Sequence, residues 1–293
     1  MKFLRLAVVA LPVVLFVVAR ESAYLPDTPD GRTAVKTYEA HGVFRRIDPE
    51  TGDARISHEA IPGYMEAMTM SFAVHDDAGL KILRPGDTLD FRLCISGTQA
   101  WVDHLRRTGA TIVPTLAKAT PTQEELQPGD PAPDIAFVDS AGQVRHLHDF
   151  SGQVLALTFI YTRCPLPTYC PRMNQNFQYA QDLLGQLGQP DGWHFVSLSF
   201  DAAHDTPTVL AEHAQRWHAD AHTWTFASAG EEAVNALGGR LGLEVRRANG
   251  RLDHNLRTVV IDGSGRVRHV FSGNRWTPQE LAAEVRTALR HQR

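Results

Sequence analysis

Three cysteines in 293 residues, at 94, 164 and 170, are too few to staple a small secreted fold, so a disulfide framework is excluded. No excess of positive charge exists either. The 29 Lys and Arg against 33 Asp and Glu leave a formal charge of −4, which excludes a general nucleic-acid binder. There is no internal repeat and no low-complexity tract. Methionine is also scarce: five in all, one of them the initiator. Three of the other four, Met65, Met68 and Met70, fall within six residues of one another. What the chain does have is a globular balance, 43% apolar and 21% charged, in a length that suits two domains.

The N-terminus gives the compartment. Lys2 and Arg5 precede the uncharged run Leu6–Ala19, the charged-then-apolar order of an export signal. Those 14 residues fall short of the roughly 17–25 of a membrane-spanning helix. Residue 20, three before Ala23, is arginine and not small, which makes a poor cleavage site. Residues 1–24 are therefore expected to be a signal peptide or an N-terminal membrane anchor with Lys2 and Arg5 on the cytoplasmic side. The body is expected in the periplasm, touching the membrane only through this segment.

Residues 24–36 are polar and read as a linker. From 37 to 116 come short alternating runs separated by turns (DPETGD, PGD), which predict a small all-β, OB-like barrel. Residues 117–133, with four prolines, predict a second linker. From 134 to 293 apolar runs such as VLALTFIYT and WHFVSLSFD alternate with helical patterns. That order predicts an α/β fold with a mixed sheet. Thr206-Pro207 and Thr277 mark helix starts, and Gly263-Ser264 a hairpin turn.

Two clusters carry chemistry. In HEAIPGYMEAMTM, Met68 and Met70 sit two apart on a predicted strand and share a face. Met65 precedes them across a turn, and His58 ends the strand before. Three thioethers and an imidazole at one point suit Cu(I) or Ag(I), because thioether sulfur is soft and uncharged. The alternative is that the methionines fill a core. In TFIYTRCPLPTYCPRM, Cys164 and Cys170 lie between a buried strand and a helix start. Sites form there in open α/β sheets, and a helix N-terminus favours a thiolate. This pair reads as a redox couple, a metal site or both, and Cys94 as core. His146 and His148 share a strand face and read as exposed, with no third partner in their motif. Asp201 and Asp205 read as closing a turn and starting a helix.

Residues 38–105 resemble the small copper/silver-binding protein of the periplasmic Cus efflux system. That family is a five-stranded barrel with a His…Met-Thr-Met pattern and a tryptophan shortly before the methionines. The resemblance implies His58, Met68 and Met70 as metal ligands. Met65, beside Tyr64, stands where that family has its tryptophan, leaving Tyr64 or Trp101 as aromatic caps.

Residues from about 130 to 293 resemble the Sco/SenC family of thioredoxin-like copper proteins, through PGDPAPDIAFVD, FIYTRCP…CPRM, SFDAAHDTP and HNLRTVVIDGSGRV. The resemblance implies copper held by Cys164, Cys170 and His254, a donor set that accepts Cu(I) or Cu(II). The cysteines here are separated by five residues, against three in the family.

Together these resemblances imply a periplasmic copper chaperone with two sites, Cu(I) being held at His58, Met65, Met68 and Met70. The expected client is a respiratory oxidase subunit, through assembly of its copper centre, or another copper acceptor. The alternatives are a thiol–disulfide oxidoreductase using Cys164 and Cys170, with a thiol reductant as partner, and copper detoxification.

Overall fold

The computed structural model describes residues 34–49, 51–111, 124–186, 192–248 and 251–291. The expected signal or anchor, and residues 117–123 of the expected second linker, lie outside the described residues. The described residues belong to one compact unit, Ala34–Arg293.

The strands in chain order are β1 (Lys36–Ile47), β2 (Ala54–His58), β3 (Met68–Phe72), β4 (Asp87–Ser96) and β5 (Gln99–Ala110), with a short helix α1 (Asp77–Ile82) before β4. Then follow β6 (Ala136–Asp139), β7 (Val144–His146), β8 (Val154–Ile160), α2 (Cys170–Gly185), β9 (Trp193–Ser199), α3 (Pro207–Arg216), β10 (Trp224–Ser228) and α4 (Glu231–Leu237). The chain closes with β11 (Val245–Ala248), β12 (Arg251–His254), β13 (Arg257–Ile261), β14 (Val267–Ser272) and α5 (Pro278–His291).

The second sheet runs β14-β13-β8-β9-β10-β6-β7, with β8, β9 and β10 parallel and the other pairings antiparallel. β8, β9 and β13 are buried along their whole length, as their unbroken apolar runs require. Helices α2 and α5 pack on each other and on β8, while α3 packs on β10 and β6. This is a thioredoxin-like arrangement: a mixed sheet with flanking helices. Its helix starts are the ones the sequence marks. The Thr206 side chain accepts from the Val209 N–H, and Pro207 follows at the first helical position. Thr277 and Glu280 form a reciprocal capping box at α5.

The first sheet corrects an expectation. It runs β11-β12-β3-β2-β1-β4-β5 and is open, so the OB-like barrel predicted for residues 37–116 does not form. The cause is a pair of strands from far down the chain. β11 and β12 form an antiparallel hairpin, and β12 lies parallel to β3 with Leu252 opposite Met68 and Asp253 opposite Thr69. That hairpin occupies the edge of β3 that a closed barrel would join to β5. Of such a closure only an isolated bridge, Val74 to Val102, is present beyond the end of β3.

Further polar contacts tie the two sheets' regions together. The Tyr169 hydroxyl donates to the Ser71 carbonyl at 2.9 Å and accepts from the Ser71 N–H at 2.6 Å. Arg55 pairs with Glu244 at 2.9 Å, and Arg275 with Asp53 at 2.7 Å. Tyr169→Phe removes both bonds to Ser71 from a buried residue. It is expected to cost about 1–3 kcal/mol, read as a lower urea midpoint with unchanged slope.

Candidate metal centre

The β2–β3 pairing places His58 directly opposite Met68 and Ile56 opposite Met70. Side chains at directly paired positions stand on the same face, and alternation puts Met70 and Phe72 there too. All of them are buried. The His58 ring meets the Phe72 ring edge-on at 5.9 Å. The His58 Nδ1–H donates to the Glu59 carbonyl at 2.6 Å, so the neutral ring carries its lone pair on Nε2. Met65 is buried but lies outside β3. Its main chain bridges Ile61 in the turn that contains Gly63, whose φ of 72° suits glycine.

Cys164 and Cys170 are buried free thiols. They flank the loop from the end of β8 to the first residue of α2. Burial alone would push the Cys164 thiol up. The Cys170 side chain, the backbone N–H groups of Cys170 and Leu166, and the Tyr161 hydroxyl outweigh it by hydrogen bonding, and the group sits below its ordinary value. Cys170 moves the other way, raised by burial and then by its hydrogen bond to Cys164 and the Cys164 charge. The pair is therefore asymmetric, with Cys164 the more acidic of the two thiols.

His254 ends β12 and is fully buried. Its ring packs edge-on against Tyr161 and Tyr169, with centroids 5.6 and 5.3 Å away, and against Phe200 at 5.4 Å. Its Nδ1–H donates to the Asn255 carbonyl at 3.2 Å, leaving the lone pair on Nε2. The two thiols and this imidazole do not gather with all ligand atoms within 4.8 Å of one another. Two sets do so among the described residues: Asp134 with His146 and His148, and Asp201 with His204 and Asp205.

Tyr161 is the residue the sequence reading missed. Its hydroxyl lies 4.0 Å from the Met68 sulfur, its carbonyl accepts from the Cys164 N–H at 3.4 Å, and its ring packs edge-on against His254. A tyrosine next to a buried strand carries no local signal of this, because Met68 is remote in sequence. Tyr64 adds a second contact to the cysteine loop, its hydroxyl donating to the Pro165 carbonyl at 3.0 Å. Its ring stacks on Tyr38 at 4.5 Å. Trp101 stacks instead on His75. Of the two caps the sequence leaves open, Tyr64 is the one that touches the cysteine loop.

The remaining clusters divide. Asp205 is fully buried and accepts from the Thr162 N–H, the Thr162 and Ser199 hydroxyls and His204, so its side chain ties the loop after β8 to the end of β9, while the Asp201 carbonyl closes the turn before α3. Asp201 pairs with Arg163 at 2.7 Å. For His146 and His148 the structure supplies the third partner that their motif lacks. Asp134 Oδ2 lies 3.5 and 2.7 Å from their Nδ1 atoms, and its hydrogen bond raises the His148 pKa.

A thioredoxin-like sheet with two buried free thiols in the loop after β8 is thus joined to a sheet of which one face carries His58, Met68 and Met70. The SCO1/SenC family model matches residues 123–290, more than half of the chain, and the protein belongs to that family. A second model, the copper binding periplasmic protein CusF, matches residues 37–107. Both matches agree with a copper-binding protein working outside the cytoplasm.

Among curated proteins no match is found. Similar solved structures include ScoI of Arabidopsis thaliana with copper bound, at 15% identity, covering 55% of this chain and 99% of that one with a TM-score of 0.47. ScoI of Bradyrhizobium japonicum with copper bound is 18% identical, over 54% of this chain and 99% of that one, TM-score 0.45. BsSco, a member of the Sco family of cytochrome c oxidase assembly proteins, is 22% identical over 57% and 99%, TM-score 0.48.

Proposed function

We propose that this protein is a periplasmic copper chaperone that carries Cu(I) as cargo at two sulfur-rich sites. Residues 1–24 would export or anchor it, and regions 37–116 and 134–293 would each carry one site within a single folding unit. His58, Met68 and Met70 would hold one ion, with Met65, buried in the turn before β3, as a third thioether donor. Cys164, Cys170 and His254 would hold the other, as Cu(I) or Cu(II). The donors fit the metal. The imidazoles have their lone pairs fixed on Nε2, one thiol is already biased to thiolate, and the thioethers are buried without a charge to desolvate.

The observation that carries this reading is the pair of buried free thiols in the loop after β8, next to a tyrosine whose hydroxyl lies 4.0 Å from the Met68 sulfur. Family membership supports delivery to a respiratory oxidase subunit as the use of the cargo. BsSco, among the similar structures, is named for the assembly of that enzyme.

Anaerobic Cu(I) titration tests the reading. Wild type is expected to bind about two equivalents. Cys164→Ser with Cys170→Ser, and separately Met68→Leu with Met70→Leu, should each leave one. A wild type that binds none ends the proposal.

The asymmetry of the thiol pair also favours a thiol–disulfide exchange reaction, in which Cys164 attacks a partner disulfide and Cys170 resolves it. An exchange rate no faster than that of a free thiol removes this second role.

A further inference from the structure

The two sets of donors do not occupy separate parts of the molecule. β12, which carries His254, is the strand hydrogen-bonded to the methionine strand. Leu252 pairs with Met68, so alternation puts His254 level with Met70 and on the face that Met68 and Met70 share. His58 stands on that same face from the opposite side, on β2. One sheet face thus reads imidazole, thioethers, imidazole across three adjacent strands. Strands β2 and β12 are two strand spacings apart, about 10 Å. His58 starts one step behind, level with Met68, and its ring meets that of Phe72, which lies on this face one step beyond the level of His254. Both rings are fully buried, and each is tied through Nδ1 to a main-chain carbonyl, so both present the same nitrogen to a metal.

We infer that His254 is a ligand of the methionine site, so that His58, Met68, Met70 and His254 form one Cu(I) site spanning β2, β3 and β12, and that His254 is shared with the Cys164–Cys170 pair across Tyr161. The inference rests on the two-site reading above and adds to it that the sites exchange cargo through a common imidazole. The hydroxyl of Tyr161 lies 4.0 Å from the Met68 sulfur, its carbonyl accepts from the Cys164 N–H at 3.4 Å, and its ring packs edge-on against His254. Cu(I) moving from thioether to thiolate would keep one ligand throughout. Besides the metal–ligand bonds, only the S–H bonds of the cysteines that take the ion break, their protons leaving to solvent, and the copper stays in the same oxidation state.

The test uses the full chain carrying Cys164→Ser and Cys170→Ser, loaded with one equivalent of Cu(I). X-ray absorption is expected to show two imidazole ligands with thioether sulfur. Adding His254→Gln should reduce them to one and weaken Cu(I) binding about tenfold or more in competition with a chromophoric chelator. The imidazole count in the chain that keeps His254 does not depend on whether the glutamine variant folds. A count of one imidazole there overturns the inference and leaves the two-site reading standing. A chain that holds no Cu(I) after loss of the cysteines overturns both.

Discussion

Asp205→Ala is expected to destabilise the protein by about 3 kcal/mol, because it strips the acceptor from several donors at once, the buried Ser199 hydroxyl and the half-buried Thr162 among them. The Asp205 carboxylate takes hydrogen bonds from the Thr162 N–H at 2.9 Å, the Thr162 hydroxyl, the Ser199 hydroxyl and His204. Burial would push this carboxyl up, but hydrogen bonds from Ser199, Thr162 and His204 more than offset it and hold the group below its usual range. A lost anion of this kind is not replaced by water in a fully buried site. Differential scanning calorimetry should show a fall of roughly 10 °C in Tm. The loss also reaches the chemistry. Thr162 is two residues before Cys164, so freeing it loosens the cysteine loop. Both thiols are buried in the native protein, and the variant should therefore react with a thiol reagent much faster than wild type. Unchanged Tm and labelling rate would show that Asp205 only decorates the turn.

Acid is expected to unfold the protein through two histidines that are buried neutral. His213 Nε2 lies 3.1 Å from the Asn174 amide nitrogen and 3.1 Å from the Trp217 indole nitrogen. An indole N–H only donates, so that ring nitrogen must carry a lone pair. Burial, then the Arg216 charge, lowers its pKa to about 4. His194 is likewise lowered to about 4, by burial and then by Arg145, with its Nε2 2.8 Å from the Thr225 hydroxyl. In the unfolded chain both return to an ordinary value near 6.5. Between pH 6.5 and 4 the unfolded chain therefore takes up protons that the folded protein refuses. Their stabilising effect is complete above pH 6.5 and is lost as the pH falls through that window. After allowing for residual screening, each contributes about 2 kcal/mol. Urea midpoints measured from pH 7 to 4 should fall steeply. His213→Gln, which keeps an acceptor and does not titrate, should flatten about half of that slope. A flat profile in the wild type would show that neither ring is buried neutral.

Most of the second sheet could be read from the chain because its signals are local. VLALTFI must be a doubly covered strand, and Thr206-Pro207 starts a helix whatever surrounds it. The shared face of His58, Met68 and Met70 follows from strand periodicity alone. The barrel was misread because closure is a property of edges, and an edge strand carries no record of what pairs with it. The hairpin β11–β12 does have a local signal. The dipeptide Asn249-Gly250 between two runs of strand pattern marks a two-residue turn. Nothing near it says that its far strand docks on residue 68. Tyr161 and Asp134 escaped for the same reason: each matters through a side chain distant in sequence.

The parallel pairing of β12 with β3 has a consequence for anyone who cuts the gene in two. A break between residues 111 and 124 would look harmless, since each family model lies on its own side of it. The N-terminal piece would lose the outer two strands of its sheet and bare the backbone of Met68 and Thr69. The C-terminal piece would carry an unpartnered hairpin. Neither half is self-sufficient, and the halves should recover solubility only when co-expressed, as complementing fragments of a single folding unit.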